Sequence, residues 1–253
     1  MQPFVFVLVV EAKQGTGYLA YWVFACLFLY LFTTIPVTMY KFLLLFGLAL
    51  MLSCNRERIK GNGPIQSDER KVNSFTKVSV SGATNVFVTK GSDYKVEVKG
   101  SENLLQDFTT EVVNNSLELH FKPGAIINTG KLEVYVTMPQ LAGLSSSGSG
   151  GIDVKGAFAS PRLDAFITGS GTIRIEGGTA ESFVESIIGS GKVFAFGLLA
   201  NNADITVSGS SVSEVSVARQ LTAKISGSAV VYYKGNPTIQ SIVSGGGKLL
   251  RRD

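Results

Sequence analysis

Downstream of residue 54 the chain has no cysteine. The two that exist, Cys26 and Cys54, both lie in the apolar N-terminal part. Disulfides and thiolate metal sites are therefore excluded from the remaining chain, whose stability must come from packing. Histidine is almost as scarce. His120, in "SLELHF", stands alone, which rules out a histidine metal cluster. A Ser-His-Asp site has little to stand on, because no G-x-S-x-G elbow accompanies it. Charge of one sign is also missing: 23 Lys+Arg against 19 Asp+Glu give +4, with no basic block. That distribution carries no electrostatic footprint for nucleic acid, and no nucleic-acid partner is expected. Glycine-rich stretches are plentiful, yet none carries the Lys-Ser/Thr of a phosphate loop or opens a helix. The Asp-bearing glycine nonapeptide of calcium-binding β-rolls is absent too. Neither a cofactor nor a metal is expected, and the many serines read as turn residues.

Apolar mass is concentrated at the start. Residues 17–36, "GYLAYWVFACLFLYLFTTIP", are long enough to cross a bilayer as a helix. A second, shorter run, "FLLLFGLALML", follows Met39-Tyr40-Lys41 and ends at Ser53-Cys54. A start Met, a short basic region, an apolar stretch and a small residue before Cys describe a secretory signal peptide. "LMLSC" resembles the lipobox of bacterial lipoproteins, with Met51 where Leu is usual. That resemblance implies lipidation at Cys54, which would begin the mature chain, and a lipid anchor in the bacterial cell envelope on the periplasmic or outer-membrane side. The competing reading is a buried apolar helix with an incidental Cys. The domain expectation is 1–38 as an upstream extension or transmembrane helix, 39–53 as signal peptide, 54–71 as a polar tether and 72–250 as the folded domain. Removing Lys13, Lys41 and Glu11 with the leader leaves about +3 on the mature chain.

From Phe75 to about Leu144 the pattern has period two. "FTKVSVSG", "NVFVTKG", "YKVEVKG", "SLELHF" and "KLEVYVTMP" alternate apolar and polar residues and read as half-buried strands. "ENLLQDFTTEVV" opens with a short helical turn. From Gly148 a longer period takes over. Small-residue corners recur at 148, 169, 189, 209, 227 and 245, with spacings of 21, 20, 20, 18 and 18. A period near twenty without a helix signal predicts an all-β solenoid, one coil per repeat. An antiparallel sandwich is the alternative. Coils stack about 4.8 Å apart, so superimposed corners need residues without bulk. Glycine permits positive φ there, and serine can bond to the turn backbone.

Alternation assigns the inward side chains. They are Leu163, Ala165 and Ile167; Ala203, Ile205 and Val207; Leu221, Ala223 and Ile225; and Ile239, Ser241 and Val243. Glu185 falls at an inward position, and a bulge that shifts its register is the expectation, against a carboxylate paired inside. Outward columns place Asp153 beside Arg174 and Lys155 beside Glu176. Asp164 and Asp204 share a column about 9.6 Å apart, near the upper limit for an inverting glycosidase pair. With no third acid or basic partner, they read as solvating. Phe194 and Phe196 point outward, Tyr232 shares the Phe194 column, and Phe166 is outward on the preceding face. Such aromatics can form a contact surface, unless N-terminal strands or a register shift cover them.

"VSVSGATNVFVTKG…YKVEVKG", then "VYVTMPQLAGLSSSGSGGIDVKG" and the repeated GSG corners resemble the putative auto-transporter adhesin "head GIN domain" family, over roughly Phe75 to Leu249. "MPQLAGLSSSGSGGIDVKG" is the most specific part. The resemblance implies a right-handed parallel β-helix-like solenoid in a secreted or lipid-anchored envelope protein. It brings no catalytic residue. The expected function is a non-enzymatic, lipid-anchored protein whose solenoid serves adhesion or protein interaction. The alternatives are a glycan-binding or polysaccharide-active β-helix protein and a periplasmic sensory module.

Overall fold

The computed structural model describes residues 58–123, 126–129 and 132–253. The readings of residues 1–38, of the signal peptide and of Cys54 lie outside the described residues. Among the described residues no helix is long and apolar enough to cross a membrane. The first elements are β1 (Arg58–Lys60), β2 (Ile65–Arg70), β3 (Lys77–Gly82), β4 (Asn85–Lys90), β5 (Lys95–Ser101), α1 (Glu102–Asp107), β6 (Phe108–Val113), β7 (Ser116–Phe121), β8 (Ile126–Thr129) and β9 (Leu132–Met138). Then come β10 (Gly143–Gly148) and the long wrapping strands β11 (Gly151–Gly169), β12 (Thr172–Gly189), β13 (Lys192–Gly209) and β14 (Val212–Gly227). The last coil is β15 (Val230–Lys234), β16 (Thr238–Gly245) and β17 (Lys248–Arg251).

The chain is a parallel β-solenoid of about five turns of roughly 20 residues. β11 to β14 stack in parallel, each on the one before. The corner glycines Gly148, Gly169, Gly189, Gly209, Gly227 and Gly245 are register partners in one column, as the spacing requires. Gly82 of β3 extends the same column by pairing with Gly148. Gly189 shows why nothing larger fits. Its φ is +121°, and a Cβ would stand 2.5 Å from the Gly169 carbonyl oxygen. That oxygen accepts a bond from the Ser190 amide at 2.8 Å, and Ser170 and Ser210 repeat the bond one coil either side. The serine thus serves the corner through its backbone amide; no hydroxyl bond at Ser170, Ser190 or Ser210 is found among the described residues.

Alternation fills the core. Leu163, Phe183, Ala203 and Leu221 form one inward column, with the largest ring flanked by the smallest side chain. Phe183 is wholly buried, and filling that space is worth about 2–3 kcal/mol relative to exposure. The N-terminal strands continue the stack. β3 lies parallel under β10, and β4 lies parallel under the first segment of β11. Antiparallel pairs then close this end: β6 on β7, and β2 on β5 on β9. Helix α1 buries Leu104 and Leu105 here.

Four expectations need correction. Ile65–Arg70, read as tether, is a strand paired along its length with β5. Its polar sequence reflects an edge strand with little burial on either face. At Glu185 no bulge forms: register runs unbroken from Ser182 to Gly189 against both neighbouring coils. The carboxyl is inside and 1% exposed. Neither of its oxygens reaches a bonding partner, although the Ser213 hydroxyl faces it and offsets part of the desolvation. Burial pushes this acid up to about 8, so it keeps its proton at neutral pH. A bulge does occur between Val154 and Ala157, around Gly156 with φ +90°. It removes Lys155 from register with Glu176. Lastly, Ile239, Ser241 and Val243 hold inward positions yet are exposed, because no further coil among the described residues covers β16.

Candidate interaction face

Asp153, Arg174, Phe194, Glu214, Tyr232 and Leu250 are successive register partners on β11, β12, β13, β14, β15 and β17. On the other side Phe87 of β4 pairs with Asp153, and Tyr135 of β9 pairs with Phe87. Eight outward side chains therefore form one row of about 34 Å across the stack. The two periods of the sequence, strand alternation and coil repeat, make this row: alternation aims each side chain outward and the repeat superimposes them.

Within the row the chemistry repeats. Arg174 donates to Asp153 at 2.8 Å, and its guanidinium lies 5.3 Å from the Phe194 ring centre. Arg252 lies 3.8 Å from the Glu214 carboxylate and 4.0 Å from the Tyr232 ring centre. Each set is a carboxylate holding an arginine over an aromatic face. The carboxylate fixes the cation, and the ring quadrupole attracts it. Phe87 and Tyr135 stack at 5.2 Å with a 21° interplanar angle. The Tyr135 hydroxyl donates to Glu133 at 2.8 Å, and this bond raises the phenol above its ordinary value.

Phe196 flanks the row. Register breaks between Ala195 and Leu199, so β14 has no counterpart to it. Small Ser216 lies beside the break and donates to the Phe196 carbonyl at 2.8 Å. Lys234, the next coil's partner of Ser216, reaches to 4.8 Å from the Phe196 ring centre. Phe194, Phe196 and Tyr232 are thus half-buried, capped by cations from other parts of the stack and left uncovered by the N-terminal strands. Phe166 belongs elsewhere. It is 42% exposed on the third strand segment of its coil, among Ser145, Ser186 and Thr206, with Ile188 on the next coil. The four aromatics do not form one patch.

Phe87 and Tyr135 as members of this row, and Arg252 as the cation beside it, were not visible from sequence. Arg252 lies beyond the last corner, and the other two precede the twenty-residue period. For Phe87 and Tyr135 the available signal was their outward parity in strands of unknown stacking order.

Other groups contribute less. Asp164, Val184 and Asp204 share a column, and Asp164 is ion-paired to Arg162 at 2.8 Å. His120 lies on β7, its Nδ1 3.0 Å from the Phe121 carbonyl and its Nε2 3.7 Å from Glu111. A polar cleft of about 380 Å³ near β2 and α1 includes Asp68, Arg70 and Glu102. The Arg70 Nη2 donates to the Leu105 carbonyl at 2.7 Å and pairs with Asp68 at 3.1 Å. Among the described residues no three of His, Cys, Asp and Glu gather as a metal site.

Residues 74–237 match the family described as "Putative auto-transporter adhesin, head GIN domain". A putative adhesin from Bacteroides fragilis is similar in structure: TM-score 0.63, 22% identity, covering 77% of this chain and 100% of that one. A putative lipid binding protein from Parabacteroides distasonis is similar at TM-score 0.57 and 19% identity, covering 78% of this chain and 100% of that one. At these identities the likeness is one of fold. No curated protein matches the chain.

Proposed function

Because this chain belongs to the putative auto-transporter adhesin head GIN domain family, we propose that it is a non-enzymatic, lipid-anchored envelope protein whose solenoid face binds a partner for adhesion. The observation that carries this reading is the row from Tyr135 to Leu250, with its two carboxylate–arginine–aromatic sets. Arginine and aromatic side chains are the groups that dominate protein interfaces, where large rigid area and planar donors give most of the binding energy. A solenoid supplies the flat, rigid support that holds them in place. Phe194, Phe196 and Tyr232 are the contact residues on this face. The anchor is Cys54, through the "LMLSC" segment.

A glycan is the second reading, favoured by flat rings alternating with carboxylates. A protein surface fits better. Arg174 and Arg252 already occupy one face of the Phe194 and Tyr232 rings, and sugars would need those faces for stacking.

The test uses cells making the full chain and a Phe194→Ala, Phe196→Ala, Tyr232→Ala variant at equal abundance. Adherence is measured on surfaces coated with protein and with polysaccharide. Loss of adherence to protein by the variant supports the proposal; loss only on polysaccharide selects the glycan reading. Unchanged adherence on both would remove this face from function.

A further inference from the structure

The two ends of the solenoid differ. The N-terminal end is closed by antiparallel strands and by α1, whereas β16 ends its sheet with every residue exposed. It bonds to β14 on one side only. Its other edge presents free amides and carbonyls, and Ile239, Val243 and Ile242 are 39%, 43% and 69% exposed. The edges of β2, β6 and β17 carry charge, which discourages strand addition. β2 has Asp68, Glu69 and Arg70; β6 has Glu111; β17 has Lys248 and Arg251. β16, "TIQSIVSG", has none.

We propose that β16 is a docking edge for β16 of a second copy of this chain, joining two solenoids tail to tail about a two-fold axis. The edge itself selects an extended strand as occupant, since backbone bonds recur along it at strand spacing. The occupant must also be uncharged and apolar at alternate positions, to cover the open mouth of the core. Of the edges β2, β6, β16 and β17, β16 alone meets both conditions. Head-to-tail stacking is blocked, because the N-terminal end is closed. A closed isologous pair remains. Residues facing each other across antiparallel strands lie on the same side of the sheet. Inward residues must therefore meet inward residues. Of the registers that allow this, one gives both Ile239 and Val243 an apolar partner: Ile239 opposite the partner's Val243, with Ser241 opposite its own copy on the axis. Both core mouths then close together.

Ser241→Cys in the full chain tests this register, with Thr222→Cys as control. Thr222 lies one coil inside on β14, in an outward column. Detergent-solubilised membranes are oxidised and run without reductant, beside the unsubstituted chain, which reports any background from Cys26 and Cys54. The expected result is a reducible dimer for Ser241→Cys well above that background and none above it for Thr222→Cys. Adding Val243→Lys to Ser241→Cys should abolish the dimer, with circular dichroism confirming the fold. Absence of a Ser241→Cys dimer, or an equal yield from Thr222→Cys, overturns the proposal. Should Val243→Lys fail to fold, the two cysteine variants decide alone.

Discussion

Glu185 is the register partner of Ala165, one coil away, with no bulge between them. A carboxylic acid therefore lies inside an apolar stack beside a methyl group. The facing Ser213 hydroxyl offsets only part of the desolvation, which keeps the acid protonated to about pH 8.

The sign of the resulting pH dependence is fixed. Below the ordinary glutamate value the acid is neutral in both the folded and the unfolded chain, and burial is least costly. As pH rises from about 4.5 to about 8, the unfolded chain releases a proton that the folded chain keeps. Glu185 should then lower stability by roughly 1 kcal/mol per pH unit across that window. Glu185→Gln should flatten this slope and be the more stable chain at pH 8. Denaturant titrations at pH 5, 6.5 and 8 check it. Equal slopes for both chains would show that Glu185 has another partner in solution.

Gly189→Ala should destabilise by about 2 kcal/mol or more, since it meets both a positive φ and a backbone carbonyl. That corresponds to a fall in Tm of roughly 4–8 °C for a domain of this size. Gly177→Ala is the contrast. A Cβ there meets nothing within 4 Å, and its φ is not positive. Its effect should stay within about 0.5 kcal/mol. Thermal unfolding by circular dichroism separates the two, and equal losses would dissociate the corner's geometry from its stability.

Cys54→Ala should abolish the anchor. Intact mass of the full chain from the membrane fraction should show an acylated Cys54 at the N-terminus, lost in the variant. An unlipidated chain retaining Met1 would end the lipoprotein reading and return residues 17–36 to the transmembrane alternative.

The solenoid was legible because two strong signals coincide. Corner glycines cannot vary when the coil above sits on them, and inward positions cannot be polar without cost. Where either constraint relaxes, the sequence misleads. Gly82 belongs to the corner column, yet a 66-residue gap to Gly148 hides it. Glu185 breaks the apolar rule, and a bulge is the ordinary remedy; a neutral buried acid beside alanine is the rarer one. Ile239 and Val243 obey alternation, but alternation assigns a face and says nothing about whether another coil covers it. Of the outward row, Phe194 and Tyr232 were readable from the period. The Arg252 cation over Tyr232 was not, because its place depends on where the chain turns after the last repeat.

Each long coil pairs only with the one before and the one after it. Length is therefore a separable variable in this protein. Duplicating a whole coil would lengthen the rod by about 4.8 Å without asking any existing side chain to find new neighbours, apart from those at the junction. Deleting one would shorten it by the same step. The molecule is a ruler graduated in single strands, and its reach can be reset by recombination within the repeat while its closed base and its open tip stay as they are.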